Sequence, residues 1–277
     1  MTILTFTLIL LAGAYLAGLA GSLTGLGGGV VIIPLLTLFF HVDIRYAIGA
    51  ALVASIATSS GSASAYVKEG ITNVRLGMFL EIATTVGAVA GAIIAVYTPV
   101  NTVAIVFGVM LIFSASMTLR KKNEQILTEG SRMSDILKLN STYPSPEGPV
   151  PYKLKHIGRG FSVMTIAGVL SGLLGIGSGA LKVLAMDTAM RVPFRVSTTT
   201  SNFMVGVTAA ASAVVYLQRG YIDPGIAFPV VIGVLAGAIT GSKILMKINV
   251  NALKLIFSVA ITLIAINMIY NGFNHKF

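Results

Sequence analysis

Charged residues are absent from Met1 to Pro34 and again from Ile82 to Leu119. Polar breaks divide this part of the chain into five apolar segments, 3–23, 29–40, 46–67, 76–97 and 101–119. Four of them approach the roughly 20 residues that a helix needs to cross a bilayer. Segment 29–40 is far shorter, and so is a later one, 178–190. Both short segments follow or overlap a glycine cluster, "GLGGG" at 25–29 and "GIGSG" at 175–179. Glycine costs a helix about 1 kcal/mol relative to alanine, so such clusters mark a required break. The pattern predicts half-helices that enter the membrane without traversing it.

Sliding the sequence against itself by 150 residues aligns it without a gap. Gly25, Gly27 and Gly29 meet Gly175, Gly177 and Gly179; Arg45 meets Arg195, Tyr66 meets Tyr216, and Gly87 and Gly91 meet Gly237 and Gly241. The chain is therefore a tandem duplication, with a first membrane repeat over 1–119, a linker over 120–160 and a second membrane repeat over 161–277. The linker is polar, with Pro-Ser-Pro and Pro-Val-Pro runs that disfavour regular structure, and leaves room for a short surface helix near Ser134–Leu139.

Charge sets orientation. Residues 120–159 carry eight Lys or Arg against four acids, which places this segment in the cytoplasm, because cytoplasmic loops collect basic residues. Counting spans outward from it puts both termini outside. Matched positions change chemistry to suit: Lys68 becomes Gln218, Arg75 becomes Gly225, and Tyr97 becomes Lys247. The repeats are thus expected to be inverted, a hallmark of transporters. The predicted fold class is an all-α polytopic membrane protein of two inverted repeats, each of about five helical segments. No Lys or Arg precedes Arg45, so the first segment is expected to stay in the membrane rather than act as a signal peptide.

Composition agrees: 55% of residues are hydrophobic, 10% are charged, and the net charge is +10. The basic excess is used up by orientation, so no nucleic-acid partner is implied. With no cysteine and three scattered histidines, neither a metal nor another cofactor is expected. No Ser–His–Asp arrangement argues for an enzyme. The expected partners are the bilayer of a bacterial or archaeal cell membrane and a small anionic substrate; a homodimer is left open.

The glycine clusters suggest the chemistry. A half-helix presents free N–H groups and a partial positive charge at its N-terminus, and glycine lets an anion approach the backbone. Thr24, Gly25, Gly27, Gly28 and Gly29 in one half, and Gly175, Gly177, Ser178 and Gly179 in the other, are therefore candidate substrate contacts. Close packing is the alternative, and it is the reading favoured for Gly87/Gly91 and Gly237/Gly241. Lys182 lies within the second short segment, where a cation is a functional candidate by default. Asp187 could pair with it, and Glu81 could relay protons or pair with a basic residue near the interface. In "VSTTTSNF", Thr200, Ser201 and Asn202 are expected to line the pathway, with Ser55, Thr58 and Ser59 of the matching helix. Arg45 and Arg195 are expected to gate or anchor the two entrances, and Tyr66 and Tyr216 to sit in an interfacial belt.

At this point the chain resembles a known family. "GLGGGVVIIPLL", "IRYAIGAALVA", the Gly70-Ile71 turn, "GAVAGA" and the repeated "GIGSG" are similar to the sulfite exporter TauE/SafE family of membrane permeases. The resemblance covers almost the whole chain outside the linker. It implies transport of sulfite, sulfonates or related sulfur-containing anions. The family's Gly-Thr-Ser-like element survives as Thr199-Thr200-Ser201 but is Gly49-Ala50-Ala51 in the first half, which implies a site built more from the second half. Glu81 alone offers little for coupling, so export driven by the membrane potential is expected. A channel-like anion pore and proton-coupled uptake of an organic anion are the alternatives.

Overall fold

A computed structural model describes residues 3–24, 28–119, 130–145, 148–177, 179–244 and 250–275. The first half comprises α1 (Ile3–Thr24), α2 (Gly29–Pro34), which runs on as a π-helical turn over Leu35–Phe39, α3 (Ile44–Lys68), α4 (Val74–Tyr97) and α5 (Val100–Leu119). A short helix α6 (Arg132–Ile136) and a hairpin of β1 (Ser141–Ser145) and β2 (Gly148–Tyr152) follow. The second half comprises α7 (Ile157–Leu174), α8 (Gly179–Leu184) with a π-helical turn over Ala185–Ala189, α9 (Phe194–Gln218), α10 (Pro224–Ile244) and α11 (Val250–Phe273).

This is a polytopic membrane protein. Among the described residues, five helices (α4, α5, α7, α9 and α10) are long and apolar enough to cross a bilayer. Their outward faces carry exposed Met78, Ile82, Val86, Ile166, Phe228 and Ile232, a surface that only lipid would tolerate on this scale. From Gly29 to Phe39 the chain is helical, but at 1.5 Å per residue it spans only about 16 Å, roughly half of the hydrocarbon core.

Repeat-matched elements share their boundaries. α2 and α8, the two π-helical turns, and α3 and α9 are each offset by 150 residues. Chain reversal after each π turn is also duplicated: Val42 N–H donates to Leu36 O and Val192 N–H to Met186 O, both at 3.0 Å. Matched side chains then start the fourth helices. Asn73 Oδ1 accepts from Leu76 N–H at 3.0 Å, and Asp223 Oδ1 accepts from Gly225 N–H at 2.6 Å, each satisfying a donor orphaned at a helix start.

The halves interlock. α1 packs along α10 and α7 along α4, while α3 crosses α9 and α5 packs on α11. Exchanging the halves reproduces this set of pairings. Small residues let the backbones touch: a Cβ on Gly87 would strike the carbonyl of Thr165, one on Gly91 that of Val169, and one on Gly237 that of Tyr15. These positions serve close packing, as their spacing suggested.

Two sequence expectations change. Tyr216 is not a belt residue. It is 1% exposed, and its hydroxyl donates to Gly172 O at 3.3 Å, because its face of α9 turns inward onto α7. The side chain of Tyr66 lies outside the described residues. Second, the segment after residue 130 is more than a linker with one short helix. Leu139, Tyr143, Tyr152 and Leu154 join Leu76, Leu80, Met164, Met186 and Met204 in a separate apolar core at one end of the bundle. The prolines do not prevent pairing. Pro151 faces Thr142, and Pro149 faces Pro144, which all fall on the alternate pairs of an antiparallel ladder that exchange no hydrogen bonds.

Candidate functional site

Gly29, at the start of α2, meets Gly175, at the end of α7. α7 ends at Leu174, and Gly175 (φ +68°) and Gly177 (φ +67°) turn the chain in the left-handed region before α8 begins. A side chain there would be strained and would also run into Ile48 and Val205. Across the interface, a Cβ on Gly29 would lie 3.3 Å from Gly175 O and 3.3 Å from Ser55 Oγ. Ser55 is 1% exposed, and its hydroxyl has no hydrogen-bond partner among the described residues. Gly28 packs on Val234, and its carbonyl accepts from Val31 and Ile32 N–H, both at 3.1 Å. Gly25, Gly27 and Ser178, and the side chain of Thr24, lie outside the described residues.

One turn into α8 stands Lys182, with 0% exposure. Its ammonium donates to Thr208 Oγ1 of α9 at 2.5 Å. Thr208 Oγ1 lies 2.6 Å from Glu81 Oε1 of α4 and 2.9 Å from Met204 O, so its one proton is shared between a carboxylate and a carbonyl. Thr85 also donates to Glu81 Oε1, at 3.2 Å, whereas the buried Glu81 Oε2 has no partner among the described residues. A buried charge is tolerated only with a counter-charge and hydrogen bonds, and this chain of three side chains supplies both. The arrangement is asymmetric. The repeat partners of Lys182 and Glu81 are Ile32 and Val231, and Thr58, the partner of Thr208, donates to Ala54 O within its own helix.

The remaining hydroxyls tie helices together. Ser201 donates to Gly179 O at 3.1 Å, fixing the start of α8 on α9. Ser59 donates to Asn202 O and accepts from Gly206 N–H at 2.9 Å, at the α3–α9 crossing. Asn202 thus takes part through its backbone. Thr200 Oγ1 accepts from Asn73 N–H at 3.1 Å. Asn73 Nδ2 in turn donates to Leu139 O at 2.8 Å and to the Tyr152 hydroxyl at 2.9 Å. Asn73 therefore joins α4, α9 and the hairpin. Burial pushes the Tyr152 phenol up to about 12.

Among the gating candidates, Arg45 donates to Thr98 O at 3.1 Å and lies 5.8 Å from the centre of the Tyr221 ring. Arg195 is exposed, and Asp187 is half-buried in the second π-helical turn. Beside that turn, His156, Arg159, Ser162, Thr188 and Arg191 line an open basic groove of about 520 Å³. Thr208 and Asn73 are the site residues that the sequence did not suggest. The 150-residue register pointed to Thr208, because its partner Thr58 was already a candidate.

The sulfite exporter TauE/SafE family matches residues 10–268. "Probable membrane transporter protein YunE" of Bacillus subtilis is 29% identical, over 97% of this chain and 99% of that protein. "Probable membrane transporter protein YdhB" of the same organism is 27% identical, over 83% of this chain and 86% of its own length. A "Probable membrane transporter protein" of Xylella fastidiosa is 24% identical, over 93% and 92%. No solved structure matches the chain at a significant level.

Proposed function

The chain belongs to the sulfite exporter TauE/SafE family and is a membrane transporter, and on that premise we propose that it carries a small sulfur-containing anion such as sulfite or an organosulfonate. The substrate is held near the midplane, where the two glycine breaks abut, with Ser55, Ser201 and the ammonium of Lys182 close by. The two halves face opposite ways, with 120–160 on the cytoplasmic side and both termini outside, and the basic groove at Arg159 and Arg191 collects anions on the inner face.

The observation that carries this reading is Lys182, a cation fully buried in a transporter's interior, which is a pathway residue unless shown otherwise. Direction follows from electrostatics. With the cell interior negative, each net negative charge moved outward gains about 2.3 kcal/mol per 100 mV, so the membrane potential favours export wherever net negative charge moves.

Thermal shift of the purified protein tests the reading. Sulfite, thiosulfate, taurine, sulfoacetate and phosphate are compared. A ligand at a hundredfold excess over its Kd stabilises the folded state by about 2.7 kcal/mol. The sulfur anions are expected to raise Tm in wild type, and the shift is expected to vanish in Lys182→Ala and Gly28→Leu. A shift from phosphate alone, or one that survives both substitutions, overturns it.

A further inference from the structure

Lys182 is fully buried and is reached, through a single hydroxyl, by a carboxylate that belongs to the other half of the protein. Its charge is therefore already balanced. An anion that arrived at the ammonium with Glu81 ionised would turn this balanced site net negative and face the carboxylate, and like charges at short range repel strongly because little water screens them. Glu81 also has capacity to spare. Its Oε2 is buried and unpartnered, so this oxygen can take a proton without breaking the bonds that Thr208 and Thr85 make to Oε1.

We propose that Glu81 is the resident counter-ion of Lys182, standing in for the substrate, and that an anion binds at Lys182 only together with a proton on Glu81, so that one proton crosses with each anion. This deepens the transport reading above and rests on it. The balance is simple: Glu81 carboxylate plus a proton gives the neutral acid, and Lys182 keeps its proton and pairs with the incoming anion. The occupied and the empty site then carry the same net charge, and the anion leaves with the proton it came with.

Among the described residues, the groups facing Glu81 are few. α9 contributes Thr208, α8 contributes Lys182, and α4 itself contributes Thr85. α7 lies along α4 through the backbone at Thr165, Gly168 and Val169. Asp187, five residues beyond Lys182 on the same element, is the nearby carboxylate to be controlled for. Charge movement also follows. A monoanion with its proton moves no net charge, whereas a dianion, such as fully ionised sulfite, still carries one charge outward and gains from the membrane potential.

Ethanesulfonate is the probe of choice, because it remains a monoanion at every working pH and any proton that accompanies it travels on the protein. The full-length chain is reconstituted in liposomes with a trapped pH dye, and currents are recorded on a solid-supported membrane. In wild type, ethanesulfonate entry is expected to acidify the lumen one proton per anion, with no sustained current. Its apparent affinity is expected to fall by up to about tenfold per pH unit above the carboxyl's titration. Glu81→Gln is expected to carry ethanesulfonate with a current, without acidification and with a flat pH profile, while Asp187→Asn keeps the wild-type profile. Thr208→Ser is expected to retain coupling and Thr208→Val to lose it, which keeps the test decisive if Glu81→Gln folds poorly. Wild-type flux with a full charge per anion and no acidification, or an unchanged pH profile in Glu81→Gln, overturns the coupling and leaves the transport reading intact. Folded wild type that moves no ethanesulfonate overturns the sulfonate reading, and the coupling with it.

Discussion

The lack of a Cβ on Gly29 is what lets the carbonyl of Gly175 draw near: a Cβ there would stand 3.3 Å from that oxygen. The breaks of two segments nearly 150 residues apart in sequence therefore share one small region, walled by Ser55 and Ala51 of α3. Gly29→Ala needs its neighbours to give by only a few tenths of an ångström and is expected to fold with a weakened site. Gly29→Leu is expected to fill the region. In ligand titrations followed by Tm, the first should raise Kd about tenfold, or about 1.4 kcal/mol, and the second should abolish the response.

The helix crossings respond to size in a different way. A Cβ on Gly91 would strike the carbonyl of Val169, and backbone cannot move aside as a side chain can. Gly91→Val is expected to cost at least the 1–3 kcal/mol of an overpacked core and to lower Tm in detergent. Gly158, in the first turn of α7 with nothing within 4 Å of an added Cβ, is the matched control. Gly158→Ala is expected to be neutral or to stabilise by about 0.4–1 kcal/mol.

Removing the cation alone strands the carboxylate. Lys182→Met leaves the buried Glu81 carboxyl without its counter-charge and is expected to destabilise by up to about 3–5 kcal/mol, less where the carboxyl takes up a proton. Lys182→Met with Glu81→Gln removes both charges and is expected to recover most of that loss. A double-mutant cycle on Tm or chemical unfolding reads the coupling directly, and additive effects would show that the pair does not act through Thr208.

Asn73 fastens the hairpin to the bundle. Asn73→Ala loses a helix cap, about 1 kcal/mol, and frees Leu139 O and the Tyr152 hydroxyl. Faster proteolysis within 130–156 is the expected result, with the transmembrane helices intact. The phenol provides a second readout. Burial raises the Tyr152 pKa from 10.0 to about 12, so its contribution to stability is present below pH 10 and lost as pH rises through about 12. Absorbance titration should show Tyr152 ionising late in wild type and nearer to 10 in Asn73→Ala, as the released hairpin loses the burial that raises it.

Much of the architecture was legible because a duplicated sequence states each boundary twice. The glycine clusters, the two short helices and the matched α3 and α9 all follow from the 150-residue register. What was not legible depends on long-range contact. Hydropathy cannot tell that Lys182 meets Glu81, 101 positions earlier, through a threonine that reads as ordinary helix filler. It placed Tyr216 at an interface because the residue lies near the end of a helix, but its face of that helix packs inward onto α7. It also took a proline-rich run for unstructured chain, since propensity does not register that the prolines fall on alternate ladder positions.

The interlocking of α1 with α10 has a consequence for how the protein is made. The surface of α1 that bears Gly18 finds its complement, Val234, only after more than two hundred further residues have left the ribosome. Until then the nascent chain holds a membrane helix with its small-residue seam facing lipid. Truncated products that stop short of Pro224 retain that open seam, which makes them natural targets for membrane quality-control proteases, and co-expressed half-chains should be rescued from degradation only as a pair.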